Sequence, residues 1–194
     1  MWVKRGDELG YLKYDRRGEE WLASKLGEMV LAPVAKVEWG ILAGNAAVVS
    51  RVLSIDSIPL SRAEFPEYAV ISALKRASGL IPFLLWIGAG DHGKERNFVV
   101  TPDGEGNLYI EAIDLGNCFE WRADGLAGIA ILQRLLDNRD VDRVEAALTA
   151  IETLSDECVL EACRQSGMGD ADDVAAKLIS RKKSLRGWLA PLLR

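Results

Sequence analysis

Residues 98–114, FVVTPDGEGNLYIEAID, constrain this chain more than any other stretch. An apolar, β-branched run leads into Pro-Asp-Gly-Glu-Gly-Asn, which is turn chemistry. A second run follows with Leu108, Ile110 and Ala112 in alternation. The pattern predicts a β-hairpin. A hairpin brings its open ends side by side. Asn97, just before the first strand, and Asp114, at the end of the second, are therefore expected to be neighbours. Any fold for this chain has to be built around that meeting point.

The segments on either side differ in character. Ahead of it, LGYLKY (residues 9–14) alternates as a strand does, and RGDELG offers a turn. From Gly18 to Val30, Trp21, Leu22, Lys25, Leu26 and Met29 fall at helical spacing behind an acidic opening. VAKVEWGIL and AAVVSRVL flank AGN, which predicts a second hairpin turning at Gly44-Asn45. Pro59 and Ser61 mark a boundary, with Ser61 a helix N-cap. Residues 61–78 read as helix and 81–87 as a buried helix. From Asp124 to the end the chain reads as four amphipathic helices, several opened by Asp or Ser. The order is a small α+β part, helices, a hairpin and helices, with a boundary near residues 54–61. That is an α+β arrangement, not the alternating order of a doubly wound sheet.

The 194 residues are 49% hydrophobic and 27% charged, a globular composition. The net charge of −5 argues against nucleic acid or an anionic membrane surface as partner. Arg181, Lys182, Lys183 and Arg186 form a local basic cluster that reads as a solvated helix face. Cys118, Cys158 and Cys163 show no CxxC spacing, and the single histidine excludes most histidine-based metal sites. The N-terminus has no apolar core of signal-peptide length. GLIPFLLWIGAG, interrupted by Pro82, is too short to cross a bilayer. A cytoplasmic protein with no membrane span is the expectation.

The candidate chemistry lies in GAGDHGKERNFVV, residues 88–100. Gly88, Gly90 and Gly93 spell GxGxxG, with Glu111 and Asp114 about 20 residues on. A dinucleotide site needs a strand before this motif and an apolar helix after it. Here Lys94-Glu95-Arg96-Asn97 and then a strand follow, so that mechanism fails. A second arrangement combines loop and hairpin. Asn97 and Asp114 are hard oxygen donors suited to Mg²⁺, and Asp91 is a spare carboxylate able to accept a proton from a hydroxyl. Singly, each has an ordinary explanation as turn residue, strand cap or Asx turn. Their order, base then Asn then hairpin then metal Asp, is that of phosphoryl transfer. Such a site requires a cation for the phosphates. Lys13 in GYLKY is the candidate, with Glu20 of the following helix as its partner. The connection between the two parts is expected near Val49-Ser50-Arg51-Val52, where backbone groups at Ser50 and Val52 would meet adenine.

Three stretches resemble the HipA-like kinases, within the wider group that includes the phosphatidylinositol 4-kinases. YLKYDRRGEEWLASKLGEMVLAPVAKV is similar to the family's lysine strand, its helix and the strand after it. GAGDHGKERNFVV is similar to the catalytic loop D-x-x-x-x-N-h-h-h, with an Asp-to-Asn interval of six positions here against the usual five. YIEAIDLGNCF is similar to the metal loop h-I-D-h-G-x-x-F. The resemblance implies a two-lobed protein-kinase-like fold. Its N-lobe, residues 1–56, would be a short antiparallel sheet plus one helix. Its C-lobe, residues 57–194, would be mostly helical and carry the catalytic β-hairpin. About a dozen residues precede Lys13, so the N-lobe is expected to be reduced, without a full glycine-rich loop. The resemblance further implies ATP and Mg²⁺ as cofactors, Asp91 as catalytic base, Asn97 and Asp114 as metal ligands, and Lys13 with Glu20 on the phosphates. The acceptor is a hydroxyl, and a protein substrate or partner is open. A module that keeps the fold without catalysis is the alternative. A helical partner-binding protein, indifferent to Asp91 and Asp114, is the third.

Overall fold

The computed structural model describes residues 2–5, 8–51, 56–89, 95–119 and 130–193. Asp91 and Val52 lie outside the described residues, as does the start of the helix expected from Asp124.

The fold is mixed α+β, with two small antiparallel sheets and mostly helical content beyond them. The first sheet holds β1 (Trp2–Arg5), β2 (Glu8–Lys13), β3 (Val37–Leu42) and β4 (Asn45–Arg51) in the order β1-β2-β4-β3. Between β2 and β3 runs α1 (Arg17–Met29). The β3–β4 turn sits one residue earlier than expected, on Ala43 (φ 50°) and Gly44 (φ 81°). A two-residue turn of this hand needs positive φ at both centres. Asn45 instead opens β4, opposite Leu42.

The second sheet is β5 (Ile58–Pro59), β6 (Phe98–Pro102) and β7 (Leu108–Ala112). The hairpin has the expected form. Phe98 pairs with Ala112 and Pro102 with Leu108, and Phe98, Val100, Leu108, Ile110 and Ala112 are buried. Asp103 closes its loop by accepting from the backbone N–H groups of Glu105 (2.9 Å) and Asn107 (2.8 Å). Residues 33–36 stitch the sheets together. Ala35 N–H donates to Ala112 O (2.9 Å), Ala112 N–H to Pro33 O (3.0 Å), and Arg51 N–H to Lys36 O (2.8 Å).

The helices are α2 (Glu67–Arg76), α3 (Leu80–Trp86), α4 (Ala130–Asp137), α5 (Val141–Thr153), α6 (Asp156–Gln165) and α7 (Ala171–Leu189). Ser61 is not a cap. It lies in a 3-10 turn, Leu60–Arg62, and the helix waits until Glu67. Pro66 accounts for the delay, because a proline pushes the residue before it out of helical geometry and suits a helix start itself. Asp140 and Ser155 do cap α5 and α6, accepting from Arg143 N–H (3.3 Å) and Cys158 N–H (3.1 Å).

The core is contiguous across both parts. All seven residues of α3 are buried, and Trp86 Nε1 donates to Leu178 O of α7 at 2.9 Å. The run Glu67–Trp86, 20 residues at hydropathy 1.3, is long and apolar enough to cross a membrane by length and composition. Here 67% of its most apolar window is buried inside the fold. The basic cluster is only in part a solvated face: Lys183 and Arg186 are exposed, but Lys182 and Arg181 turn inward. Lys182 is buried and donates to Leu154 O (2.6 Å) and Asp156 (2.5 Å). Arg181 donates to Trp86 O and Leu85 O and lies over the Trp188 ring, and Arg186 pairs with Glu145 and Glu152. Long cationic side chains lay their stems on apolar surface and reach for helix-end carbonyls, which spacing alone does not show.

Candidate functional site

Glu20 organises the site. The stripe expected on α1 is rotated: Leu22 and Leu26 are buried as expected, but Trp21 and Met29 are only half-buried, and Glu20 and Ser24 go inside instead. Both polar groups have partners there. Ser24 Oγ accepts from Val37 N–H at 2.8 Å. Glu20, 2% exposed, accepts from Leu115 N–H (3.1 Å) and Gly116 N–H (2.8 Å), and it pairs with Lys13. A carboxylate this deep is tolerated only when its lone pairs are filled.

Lys13 ends β2, opposite Val48, and its Nζ bonds both Glu20 and Asp114. Asp114 follows the second hairpin strand, in left-handed backbone geometry (φ 59°, ψ 49°), with its side chain half exposed. The chain's sharp turn after the hairpin falls on Asp114 itself, where Asp tolerates positive φ. Gly116 has a different purpose. A Cβ there would stand 3.1 Å from Glu20 Oε1 and 3.2 Å from Arg16 Cβ, so glycine lets the loop approach α1 this closely without displacing either. Arg16, also left-handed (φ 49°), closes the contact by donating to Gly116 O at 3.3 Å. Sequence reading missed Arg16, whose role depends on backbone geometry.

The hairpin delivers its other end as expected. Asn97 closes the 3-10 turn Glu95–Asn97 and is buried, and its carbonyl accepts from Ile113 N–H at 2.8 Å. It thus lies beside the residue preceding Asp114. Ser50 lies within β4, paired with Tyr11 on one side and Val37 on the other. Val49, Ser50 and Arg51 thus belong to the strand and not to a connection, and Val52 lies outside the described residues.

Lys13, Asp15, Arg16, Glu20 and Asp114 line a cleft of about 380 Å³. Burial works against the Lys13 charge, but the carboxylates of Glu20 and Asp114 outweigh it and raise its pKa, keeping a fixed cation there. Burial raises the Glu20 carboxyl against the opposing pull of Lys13. Cys118, behind the loop, is fully buried, and its thiol is pushed well above the usual range by that burial. It is a packed side chain, not a nucleophile. Among the described residues no three His, Cys, Asp or Glu converge as a ready-made metal site. The donors present, an Asp carboxylate at the cleft and an Asn beside it, suit an ion that takes oxygen ligands and fills its shell with water and phosphate.

No family model and no curated protein matches the chain. Among solved structures it is similar to a proinflammatory kinase of Helicobacter pylori, CtkA, with a TM-score of 0.51 and 11% identity over 96% of this chain and 89% of that one. The fold is kinase-like. At that identity the likeness concerns fold alone, and nothing about ligands passes through it.

Proposed function

We propose that the chain is an ATP- and Mg²⁺-dependent phosphotransferase of the HipA-like type, moving a γ-phosphoryl group to a hydroxyl acceptor. One observation carries this reading. A strand lysine, a buried helix glutamate and the aspartate after a β-hairpin come from three separate elements and meet in one cleft. The loop's two backbone N–H groups, fastened to the same carboxylate, tie the end of the hairpin to the lysine–glutamate pair.

In this reading residues 1–56 form the N-lobe and 57–194 the helical C-lobe, with nucleotide between them. Lys13 holds a positive charge against the phosphates, and Glu20 fixes its position. Asn97 and Asp114 would hold Mg²⁺, which supplies charge neutralisation on the transferring group when bound. Asp91 would accept the acceptor's proton. Glu20, by holding Leu115 and Gly116, sets where the Asp114 carboxylate points.

The test is calorimetric titration of ATP, with and without Mg²⁺, into the wild type and Asp114→Ala. Mg²⁺-dependent binding lost in the variant is expected. Absence of binding at millimolar ATP would sink the reading. Binding without transfer to any hydroxyl acceptor would assign the chain to the non-catalytic alternative.

A further inference from the structure

A second groove, of about 560 Å³, opens beside the cleft and shares Tyr14, Asp15 and Arg16 with it. Its other walls are the first turn of α1, Trp39 of β3 and the loop 166–170 between α6 and α7. Tyr14 (45% exposed) and Trp39 (44% exposed) are among the large apolar side chains left to solvent. Asp15, Glu19 and Asp170 stand with them. Asp170 precedes α7 without capping it through its side chain. The groove also carries two guanidiniums, Arg16 bonded to Gly116 O (3.3 Å) and Arg17 to Ala46 O (2.5 Å), so its carboxylates outnumber its cations three to two. Across the groove, the backbone at Gly167 and Gly169 is open, with nothing within 4 Å of where a Cβ would be.

We infer that this groove docks an extended, lysine- or arginine-bearing segment of a partner protein. Half-exposed aromatic rings beside an excess of carboxylates are a lining that receives cationic side chains. The ring quadrupole and the carboxylates both attract the charge, while the aliphatic stem packs on the rings. The excess of carboxylates over arginines, with the chain's net charge of −5, disfavours nucleic acid and anionic lipid. Continuity with the cleft gives docking its consequence: a segment lying here would present a neighbouring hydroxyl to Lys13 and Asp114. That last step rests on the phosphotransfer reading, whereas the docking itself does not.

The experiment is titration of a short synthetic peptide of alternating lysine and serine, at low and high salt, into the wild type, Asp170→Lys and Trp39→Leu. ATP is titrated into the same preparations. The peptide is expected to bind the wild type in a salt-sensitive way and to bind both variants about tenfold more weakly, while their ATP binding stays at the wild-type level. A glutamate-serine peptide should prefer Asp170→Lys to the wild type, a charge exchange that a misfolded variant could not produce. Equal peptide binding by all three proteins, no binding at low salt, or preferential binding of anionic vesicles overturns the docking surface. Peptide binding with this pattern in a protein that binds no ATP supports the docking surface and removes the phosphotransfer reading alone.

Discussion

Glu111 stands opposite Val99 in the β6–β7 ladder, on the face turned away from the buried stripe of Ile110 and Ala112. Its Oε2 is buried without a hydrogen-bond partner, and burial pushes its carboxyl up to about 7. The alternation of β7 tells which residues share a face with Glu111. It does not tell that residues 33–35 run along the Ala112 edge and help close off that region, because that is a contact between distant parts of the chain. The consequence for stability has a definite sign. Below the unfolded value of 4.5, Glu111 is protonated in both states and costs nothing. As pH rises from 4.5 to about 7, the unfolded chain releases its proton while the folded chain retains it, so stability falls. Above that window the penalty is complete, about 3 kcal/mol. Glu111→Gln should therefore leave stability near pH 4 almost unchanged and raise it by up to about 3 kcal/mol at pH 8. Urea melts of both proteins across this range measure the difference. Parallel curves would show that Glu111 is solvated.

At the scale of elements, α1 and the 3-10 turn Leu115–Asn117 form the contact on which the site depends. The two elements were readable from the sequence separately. Helical spacing located α1, and turn chemistry located the hairpin that ends at Asp114. Their contact was not legible; of the site's bonds only the pairing of Lys13 with Glu20 was. Asp114 as a third partner and the backbone N–H bonds to Glu20 depend on the rotation of α1 about its axis. The apolar stripe misjudged that rotation, because a polar residue whose bonds are all satisfied can take a core position. Gly116→Ala tests the contact. Its Cβ would lie 3.1 Å from Glu20 Oε1 and 3.2 Å from Arg16 Cβ, so the Glu20 carboxylate, which holds the loop's N–H groups, or the loop itself has to shift by a few tenths of an ångström. We expect a loss of about 1–3 kcal/mol in denaturant unfolding, as for other overpacked sites. We also expect weaker Mg²⁺–ATP binding, because Asp114 is carried on the same turn. Gly104→Ala, at a position with nothing within 4 Å of the added Cβ, is the matched control and should be nearly neutral. Equal behaviour of the two variants would remove Gly116 from the account of the site.

For the whole molecule, the site joins parts that are distant in sequence. Lys13 belongs to the first sheet, Asp114 follows the second, and the core runs without a break from α1 to α7. The sequence showed a change of character near residues 54–61 and the β-then-α order. It did not show how residues 33–36 fasten one sheet to the other, since such pairing leaves no local pattern. A ligand gripped from both sides stabilises only a molecule in which both sides are folded and apposed. Mg²⁺–ATP at about 100 times its dissociation constant should add about 2.7 kcal/mol. For a chain of this length that corresponds to a rise in Tm of roughly 5–10 °C. A single transition that moves as a whole is expected in differential scanning calorimetry, since the two parts share one core. Asp114→Ala should melt near the unliganded wild type and fail to shift. Two transitions, only one of which responds to nucleotide, would mean that the lobes hold together less tightly than their shared core implies, and that nucleotide is held by one of them alone.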